Sequence, residues 1–247
     1  MIQDKRDGHG RSRVPCVMTA IAAICRQGEI VLAADSRRLD PTTGEQTSAW
    51  KIRDLTTLFA AVSGINRYDP THFDVSELLP AEMPEVDVGT NVDSIEHLLV
   101  PPLRLALKHL RSNNPEFFQR YAIQKTPLDI KFARVQNGFP TMINLNVVVA
   151  SHGDGPVVIT PQRYYWPVLG ISAVPRSFFI GTPEGVANYE SLADSGNLSF
   201  YQGDIVERAR GFVQMEIDKQ TPEIGGPIDI LQLTVNGASW IQRKDGC

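Results

Sequence analysis

Short apolar runs separated by turn residues dominate the first quarter of the chain. Thr19–Cys25 and Glu29–Asp35 flank Gln27-Gly28, an arrangement typical of a β-hairpin. Ala49–Asp54 and Thr57–Ser63 form a second pair of the same kind. Because each run is short and rich in small or β-branched apolar residues, the pattern predicts four strands of a largely buried sheet.

Helical periodicity appears next. Leucines recur at helical spacing between about 92 and 123, with Asn91 or Asp93 as the expected N-cap, and Pro101-Pro102 is expected to break or kink this helix. Helices are also expected to begin near Pro183 and at Gly203-Asp204. Six further strands are expected at about 127–136, 142–151, 156–163, 176–181, 227–234 and 238–243. This order of elements predicts a mixed α+β protein.

The composition narrows the function classes. The 247 residues suffice for one large domain, and the net charge of −4 gives no basic surface for a nucleic acid. No apolar run is long enough for a membrane helix, so no membrane partner is expected. Three scattered cysteines favour a reducing cytoplasm over a disulfide scaffold. The five histidines show no metal-ligand spacing, and we expect neither a metal nor a cofactor.

Three residues with complementary chemistry stand at equal intervals, sixteen residues apart: Thr19, Asp35 and Lys51. A threonine hydroxyl needs an adjacent base to become a nucleophile. An α-amino group, whose unperturbed pKa is about 7.7–8.0, suits that task near neutral pH. Thr19 carries such an amine only if the Met18–Thr19 bond is cut.

Each of the three residues also has a plain structural interpretation. Threonine is common at the start of a strand. An aspartate after an apolar run is an ordinary strand-end residue, and Lys51 alone would be read as a solvated surface lysine. The ordered set, rather than any one member, favours catalysis.

The ordered set resembles the proteasome β-type family of N-terminal-nucleophile hydrolases. The resemblance extends to Ser63-Gly64-Ile65 and to the segment Gly225–Leu231. It implies a four-layer αββα sandwich in which Thr19 attacks a peptide bond of a peptide or protein substrate. It further implies that Lys51 lowers the pKa of the Thr19 hydroxyl, that Asp35 holds Lys51, and that the Gly64 N–H binds the oxyanion.

The resemblance also implies a domain organisation and an assembly. Residues 1–18 would be a leader removed by self-cleavage, and residues 19–247 a single domain with an insertion at about 66–91. Family members form rings, so a homo-oligomer is expected. The candidate contact surfaces are the leucine-rich helix around 98–110 and the run Tyr164-Tyr165-Trp166.

The chain departs from the family at the groups that support the threonine amine. Apolar or neutral side chains stand where active members carry Ser, Asp and Ser: Ile180, Thr221 and Ile224. The candidate replacements are Thr182, Thr221 and Asp218. Met18 precedes the nucleophile where glycine is usual. These departures leave two alternatives open, a structural subunit that keeps its leader and an amidase acting on small molecules.

Overall fold

The computed structural model describes residues 19–39, 45–119, 126–137, 139–150, 155–166, 175–193, 198–221 and 223–244. The expected leader, residues 1–18, lies outside these ranges. Within them, the largest features are two five-stranded antiparallel sheets.

In pairing order, the first sheet contains β12 (Arg176–Ile180), β1 (Ile21–Arg26), β2 (Glu29–Asp35), β13 (Ile228–Thr234) and β14 (Gly237–Gln242). The second contains β11 (Ile159–Trp166), β10 (Phe139–Val149), β9 (Leu128–Gln136), β6 (Phe59–Gly64) and β5 (Ile52–Asp54). Two short hairpins pair β3 (Arg37–Leu39) with β4 (Gln46–Ser48) and β7 (Arg67–Tyr68) with β8 (Phe73–Asp74). The helices are α1 (Val75–Leu78), α2 (Val88–Asn113), α3 (Pro115–Phe118), α4 (Pro183–Leu192), α5 (Leu198–Gln202) and α6 (Ile205–Asp218).

The strand predictions are confirmed. All ten expected strands are present in the two large sheets, and their ends lie within three residues of the predicted ones. The structure therefore shows a mixed α+β protein built on antiparallel sheets. The short pairs β3–β4 and β7–β8 and the helix α5 contain too few residues to give a periodic signal, and the sequence did not predict them.

Strand β1 is buried on both faces, which explains its continuous apolar sequence. Ile21 and Ala23 belong to a buried cluster that contains residues from both sheets. Ala22 and Ile24 belong to a second cluster, together with Phe212 of α6. Successive side chains of a strand point to opposite faces, so the first sheet packs on the second sheet with one face and on α6 with the other.

The long helix α2 differs from its predicted form. It begins after Asp87, whose side chain accepts a hydrogen bond from the Thr90 N–H, and neither Asn91 nor Asp93 is the cap. It also continues through Pro101 and Pro102. A proline leaves the carbonyl four residues earlier without its helical donor. Here those carbonyls belong to His97 and Leu98, two exposed residues, so water can satisfy them.

The leucines of α2 mostly face the protein interior. A third buried cluster joins this helix to the second sheet and includes Leu99, Leu103, Leu107 and Leu110. Leu98 and Leu105 are 48% and 56% exposed. The expectation that this helix offers a leucine-rich contact surface is therefore wrong for most of its leucines. None of the helices in the described ranges is long and apolar enough to cross a membrane.

Two leucines on α2 provide a matched test of this packing. Leu103→Ala is expected to lower the free energy of unfolding by about 2–5 kcal/mol, because it opens a cavity at a fully buried position. Leu105→Ala, on the exposed side of the same helix, is expected to change it by less than about 0.5 kcal/mol. Urea unfolding of both variants measures the difference. Equal losses would contradict the assigned helix orientation.

Candidate active site

Asp35 is the most heavily hydrogen-bonded side chain at this end of the sheets. Its Oδ1 accepts from Lys51 Nζ at 2.6 Å and from the Ala20 N–H at 2.9 Å. Its Oδ2 accepts from the Gly225 N–H at 3.1 Å and from the Arg37 N–H at 3.2 Å. The residue is 0% exposed. Four donors therefore replace water around a buried carboxylate, as burial of this group requires.

Lys51 is buried with Asp35 and is 2% exposed, so it is not a solvated surface lysine. It directly precedes β5, and its carbonyl accepts a hydrogen bond from the Val62 N–H at 2.8 Å. Burial lowers the pKa of Lys51 below its ordinary value, and the carboxylate of Asp35 opposes this effect. The ion pair expected between these two residues is present, and it links the first sheet to the second.

Thr19 lies one residue before the peptide group that Asp35 holds. The Asp35 N–H donates to the Ala20 carbonyl at 3.0 Å, and the Asp35 side chain accepts from the Ala20 N–H. Lys51 Nζ and the Ala20 nitrogen thus share one carboxylate oxygen. The Lys51 ammonium consequently lies close to the peptide that joins Thr19 to Ala20. Thr19 itself is 5% exposed.

Gly64 ends β6 in a conformation that favours glycine, with φ at +95°. An added Cβ would lie 2.3 Å from the Pro127 carbonyl oxygen, so close backbone approach also requires glycine here. The Ile65 N–H donates to the Pro127 carbonyl, on one side of this strand. The Val62 N–H donates to the Lys51 carbonyl, on the other side. Because N–H groups of alternate residues point to the same side of an antiparallel strand, the Gly64 N–H is directed to the Lys51 side of β6.

Two of the three residues that depart from the family pattern pack among other apolar side chains. Ile224 is 1% exposed and belongs to the cluster under α6. Ile180 pairs with Ile21 across β12 and β1 and packs on the cluster between the sheets. Neither position offers a polar group to Thr19.

The three candidate replacements differ in availability. The Thr182 hydroxyl is engaged, because it contacts Glu216 Oε1 at 3.0 Å, accepts from the Gly185 N–H and contacts Lys219 Nζ. Asp218 is exposed and accepts from Gln214. Thr221 Oγ1 is buried and has no hydrogen-bond partner among the described residues. Of these three groups, the Thr221 hydroxyl is the one left unsatisfied.

Ser36 is a polar group at this site that the sequence analysis missed. Continuing the β1–β2 register by two residues beyond Ile21 and Ala34 places Ser36 opposite Thr19. Ser36 is 1% exposed, and its Oγ has no hydrogen-bond partner in the described part of the chain. Gly226 packs so closely on it that a Cβ there would lie 2.6 Å from this oxygen. The available signal was its position directly after Asp35.

Asp229 is a second missed group. It pairs with Ala34 in the β2–β13 register, is 1% exposed, and accepts a hydrogen bond from the Lys244 N–H at 2.9 Å. Burial raises the pKa of the Asp229 carboxyl, and the nearby charge of Asp35 acts in the same direction. A lone acid inside the apolar run of β13 was the signal in the sequence.

Comparison with known proteins adds no assignment. No protein-family model matches the chain, and no curated protein matches it in sequence. Within the described ranges, no group of three or more His, Cys, Asp or Glu side chains is arranged to hold a metal ion.

The buried ion pair predicts strong coupling between its members. Lys51→Met is expected to lower the free energy of unfolding by about 3–5 kcal/mol, because it leaves the Asp35 carboxylate buried without its counter-ion. Asp35→Asn also removes the charge that Lys51 needs. The double variant is expected to lose clearly less than the sum of the single losses. Urea unfolding at pH 7 measures all three variants.

Lys108→Met, at an exposed position of α2, is the control for the loss of a lysine. It should unfold like the parent. Additive losses in the double variant would contradict a coupled pair.

The buried carboxyl of Asp229 is expected to make the free energy of unfolding depend on pH. The pKa of the Asp229 carboxyl is higher in the folded chain than in the unfolded chain, so folding favours its protonated form. The folded chain therefore loses stability as the pH rises above the pKa that this carboxyl has in the unfolded chain. Asp229→Asn keeps an acceptor for the Lys244 N–H and removes the charge. We expect it to raise the urea midpoint at pH 7 and to give no gain near pH 3, where the carboxyl is protonated in both states.

Asp218→Asn, at an exposed position on α6, is the matched control and should show no such pH-dependent gain. An Asp229→Asn variant less stable than the parent at pH 7 would overturn the assigned cost of this buried charge.

Proposed function

We propose that this chain is a threonine-type N-terminal-nucleophile hydrolase that cleaves peptide bonds, similar to a proteasome β subunit. One observation carries the proposal: a single oxygen of Asp35 accepts from Lys51 Nζ and from the peptide nitrogen that follows Thr19. The buried Lys51 ammonium therefore lies near Thr19, and a nearby cation is one way in which the pKa of a nucleophile is lowered.

The fold proposed with this function is a four-layer αββα sandwich. Three buried clusters support it, one under α6, one between the two sheets and one under α2. Helix α6 packs on β1, β2 and β13, whereas α2 packs on β9, β10 and β11. Asp35 and Gly64 are the last residues of β2 and β6, Lys51 directly precedes β5, and Thr19 lies two residues before β1.

The proposed reaction starts from a Thr19 that carries a free α-amine after removal of residues 1–18. The Thr19 oxygen attacks the substrate carbonyl carbon, and its proton passes to that amine. The oxyanion accepts a hydrogen bond from the Gly64 N–H, a type of contact worth about 2.7–4 kcal/mol in the transition state. The carbon–nitrogen bond then breaks, the leaving amine takes the proton, and water hydrolyses the ester on Thr19.

Lys51 and Asp35 act on the nucleophile without bonding to the substrate. The positive charge of Lys51 lowers the pKa of the Thr19 hydroxyl, and Asp35 keeps Lys51 charged and in place. Ser36, opposite Thr19 in the register of β1 and β2, carries a buried hydroxyl, whereas Ile180, on the strand that flanks β1 on its other edge, and Ile224 carry none.

A structural subunit without activity is the second candidate. The apolar side chains of Ile180 and Ile224 favour it, because they remove two supporting hydroxyls from the amine. In this case the leader would stay attached and the fold would serve an assembly.

Assembly into a homo-oligomer, with a ring as one form, belongs to both candidates. Of the two expected contact surfaces, the aromatic run is the better placed. Tyr164 and Tyr165 are 51% and 49% exposed on the edge strand β11, although Trp166 is buried.

Self-processing separates the two candidates. The intact mass and N-terminal sequence of the purified chain are expected to show a start at Thr19. Thr19→Ala is expected to keep residues 1–18 and to leave a fluorogenic peptide uncleaved, because it removes the attacking oxygen. Thr160→Ala, at an exposed position of β11, is the control and should process normally. A parent chain that keeps its leader and cleaves no peptide would favour the structural subunit.

A further inference from the structure

An arginine that follows β14 contacts the segment that leads into Lys51. The guanidinium carbon of Arg243 lies over two indole rings, 4.7 Å from the centroid of Trp50 and 4.6 Å from that of Trp240. A cation over the face of an indole is attracted by the electron-rich ring. Trp240 belongs to the first sheet, and Trp50 directly precedes Lys51 beside β5, an edge strand of the second. Arg243 therefore joins the two sheets next to the buried ion pair.

A β-bulge in the first sheet places Trp240 and Arg243 on the same face. Successive side chains of a regular strand alternate, so residues three apart would point to opposite faces. Here Trp240 and Gln242 of β14 pair with two adjacent residues of β13, and Ile241 is the additional residue between them. This extra residue reverses the alternation for the residues that follow. The contact of Arg243 with both rings is thus a consequence of the strand geometry.

The orientation of the Trp50 ring depends on this contact. Its indole nitrogen is buried and has no hydrogen-bond partner among the described residues. A buried tryptophan N–H usually finds an acceptor, which also fixes the ring. Here the ring lies against the guanidinium of Arg243 instead. The backbone before it is held as well, because the Ala49 N–H donates to the Ser36 carbonyl at 2.8 Å.

Lys244 adds a second link between the same two parts of the chain. Its N–H donates to Asp229 Oδ1 of β13 at 2.9 Å, and its Nζ donates to Ser48 Oγ at 3.3 Å. Its charge also acts on Lys51, since burial is the main cause of the lowered pKa of Lys51 and the charge of Lys244 acts in the same direction. The residues that follow β14 therefore lie across the segment that carries Lys51.

We propose that Arg243 is a positioning residue for Lys51, which it holds in place through Trp50. The proposal rests on the proposed hydrolase function, in which the Lys51 ammonium lowers the pKa of the Thr19 hydroxyl. Asp35 fixes the ammonium end of the lysine, whereas Arg243 fixes the backbone from which the side chain extends. Loss of Arg243 removes a contact between this backbone and the first sheet. A small movement is sufficient, since a displacement of about 1 Å can reduce catalysis by about 10²-fold.

The test measures how accessible Lys51 is and does not require catalysis. Purified chains are treated briefly with acetic anhydride, and peptide mapping by mass spectrometry gives the acetylation rate of each lysine. Lys51 and Lys131 are both 2% exposed, so both are expected to react slowly in the parent. Arg243→Gln, at an exposed position, is expected to raise the rate at Lys51 at least about tenfold, because local opening of its segment becomes easier. Lys131, two strands away from β5, should keep its parental rate.

Two further variants control for the chemistry of the substitution. Arg243→Lys keeps a cation for the two rings and is expected to restore most of the protection of Lys51. Arg208→Gln removes a guanidinium that lies over the Phe200 ring at 5.2 Å, and it should leave Lys51 as protected as in the parent. Cleavage of a fluorogenic peptide by the processed chains should follow the same order, with kcat/KM lowered about tenfold by Arg243→Gln.

The outcomes separate the inference from the proposed function. Protection of Lys51 that survives in Arg243→Gln would overturn the positioning role. Equal gains at Lys51 and Lys131 would also overturn it, because they report general loosening of the fold. A gain at Lys51 alone, in a chain that cleaves at the parental rate, would keep the positioning role and contradict the part of Lys51 in the reaction. If no chain cleaves a peptide, the hydrolase proposal fails, and the acetylation rates still decide the role of Arg243.

Discussion

The buried ion pair between Asp35 and Lys51 is the interaction on which this end of the molecule depends. Taking two charges out of water is unfavourable by several kcal/mol per ion, and the pair is stable only if further hydrogen bonds surround it. The Ala20, Arg37 and Gly225 N–H groups provide them, and each comes from a different segment. The requirement to satisfy one carboxylate thus fixes the start of β1, the start of β3 and the loop before β13 relative to one another.

The same pair joins the two sheets, because Asp35 ends β2 of the first and Lys51 precedes β5 of the second. A shift of either sheet would break a 2.6 Å contact between groups that have no solvent to replace it. This rigidity is what a reacting centre needs, since a displacement of about 1 Å can reduce catalysis by about 10²-fold. The hydroxyls of Ser36 and Thr221, which have no hydrogen-bond partner among the described residues, mark the part of the site where polar contacts are still available.

Local sequence patterns predicted most of the strands and helices, whereas contacts between distant segments could not be predicted from the sequence. The hairpin around Gly28 and the helix starts at Thr182 and Asp204 follow from turn and capping chemistry within a few residues. The Gly225 N–H donates a hydrogen bond to Asp35, which lies 190 residues earlier in the chain. No pattern near either residue predicts this contact. The course of α2 through Pro101 and Pro102 likewise depends on which carbonyls face water, a property of tertiary packing rather than of the proline pair itself.

Acylation of the nucleophile tests the central proposal, that Thr19 is activated beside Lys51, most directly. A p-nitrophenyl ester would transfer its acyl group to the reacting oxygen and release p-nitrophenol, and peptide mapping by mass spectrometry would locate the adduct. The account predicts one adduct, on the Thr19 side-chain oxygen of the processed chain, and its loss in a folded Lys51→Met variant. An adduct on another residue, or unchanged labelling of Thr19 without Lys51, would contradict it.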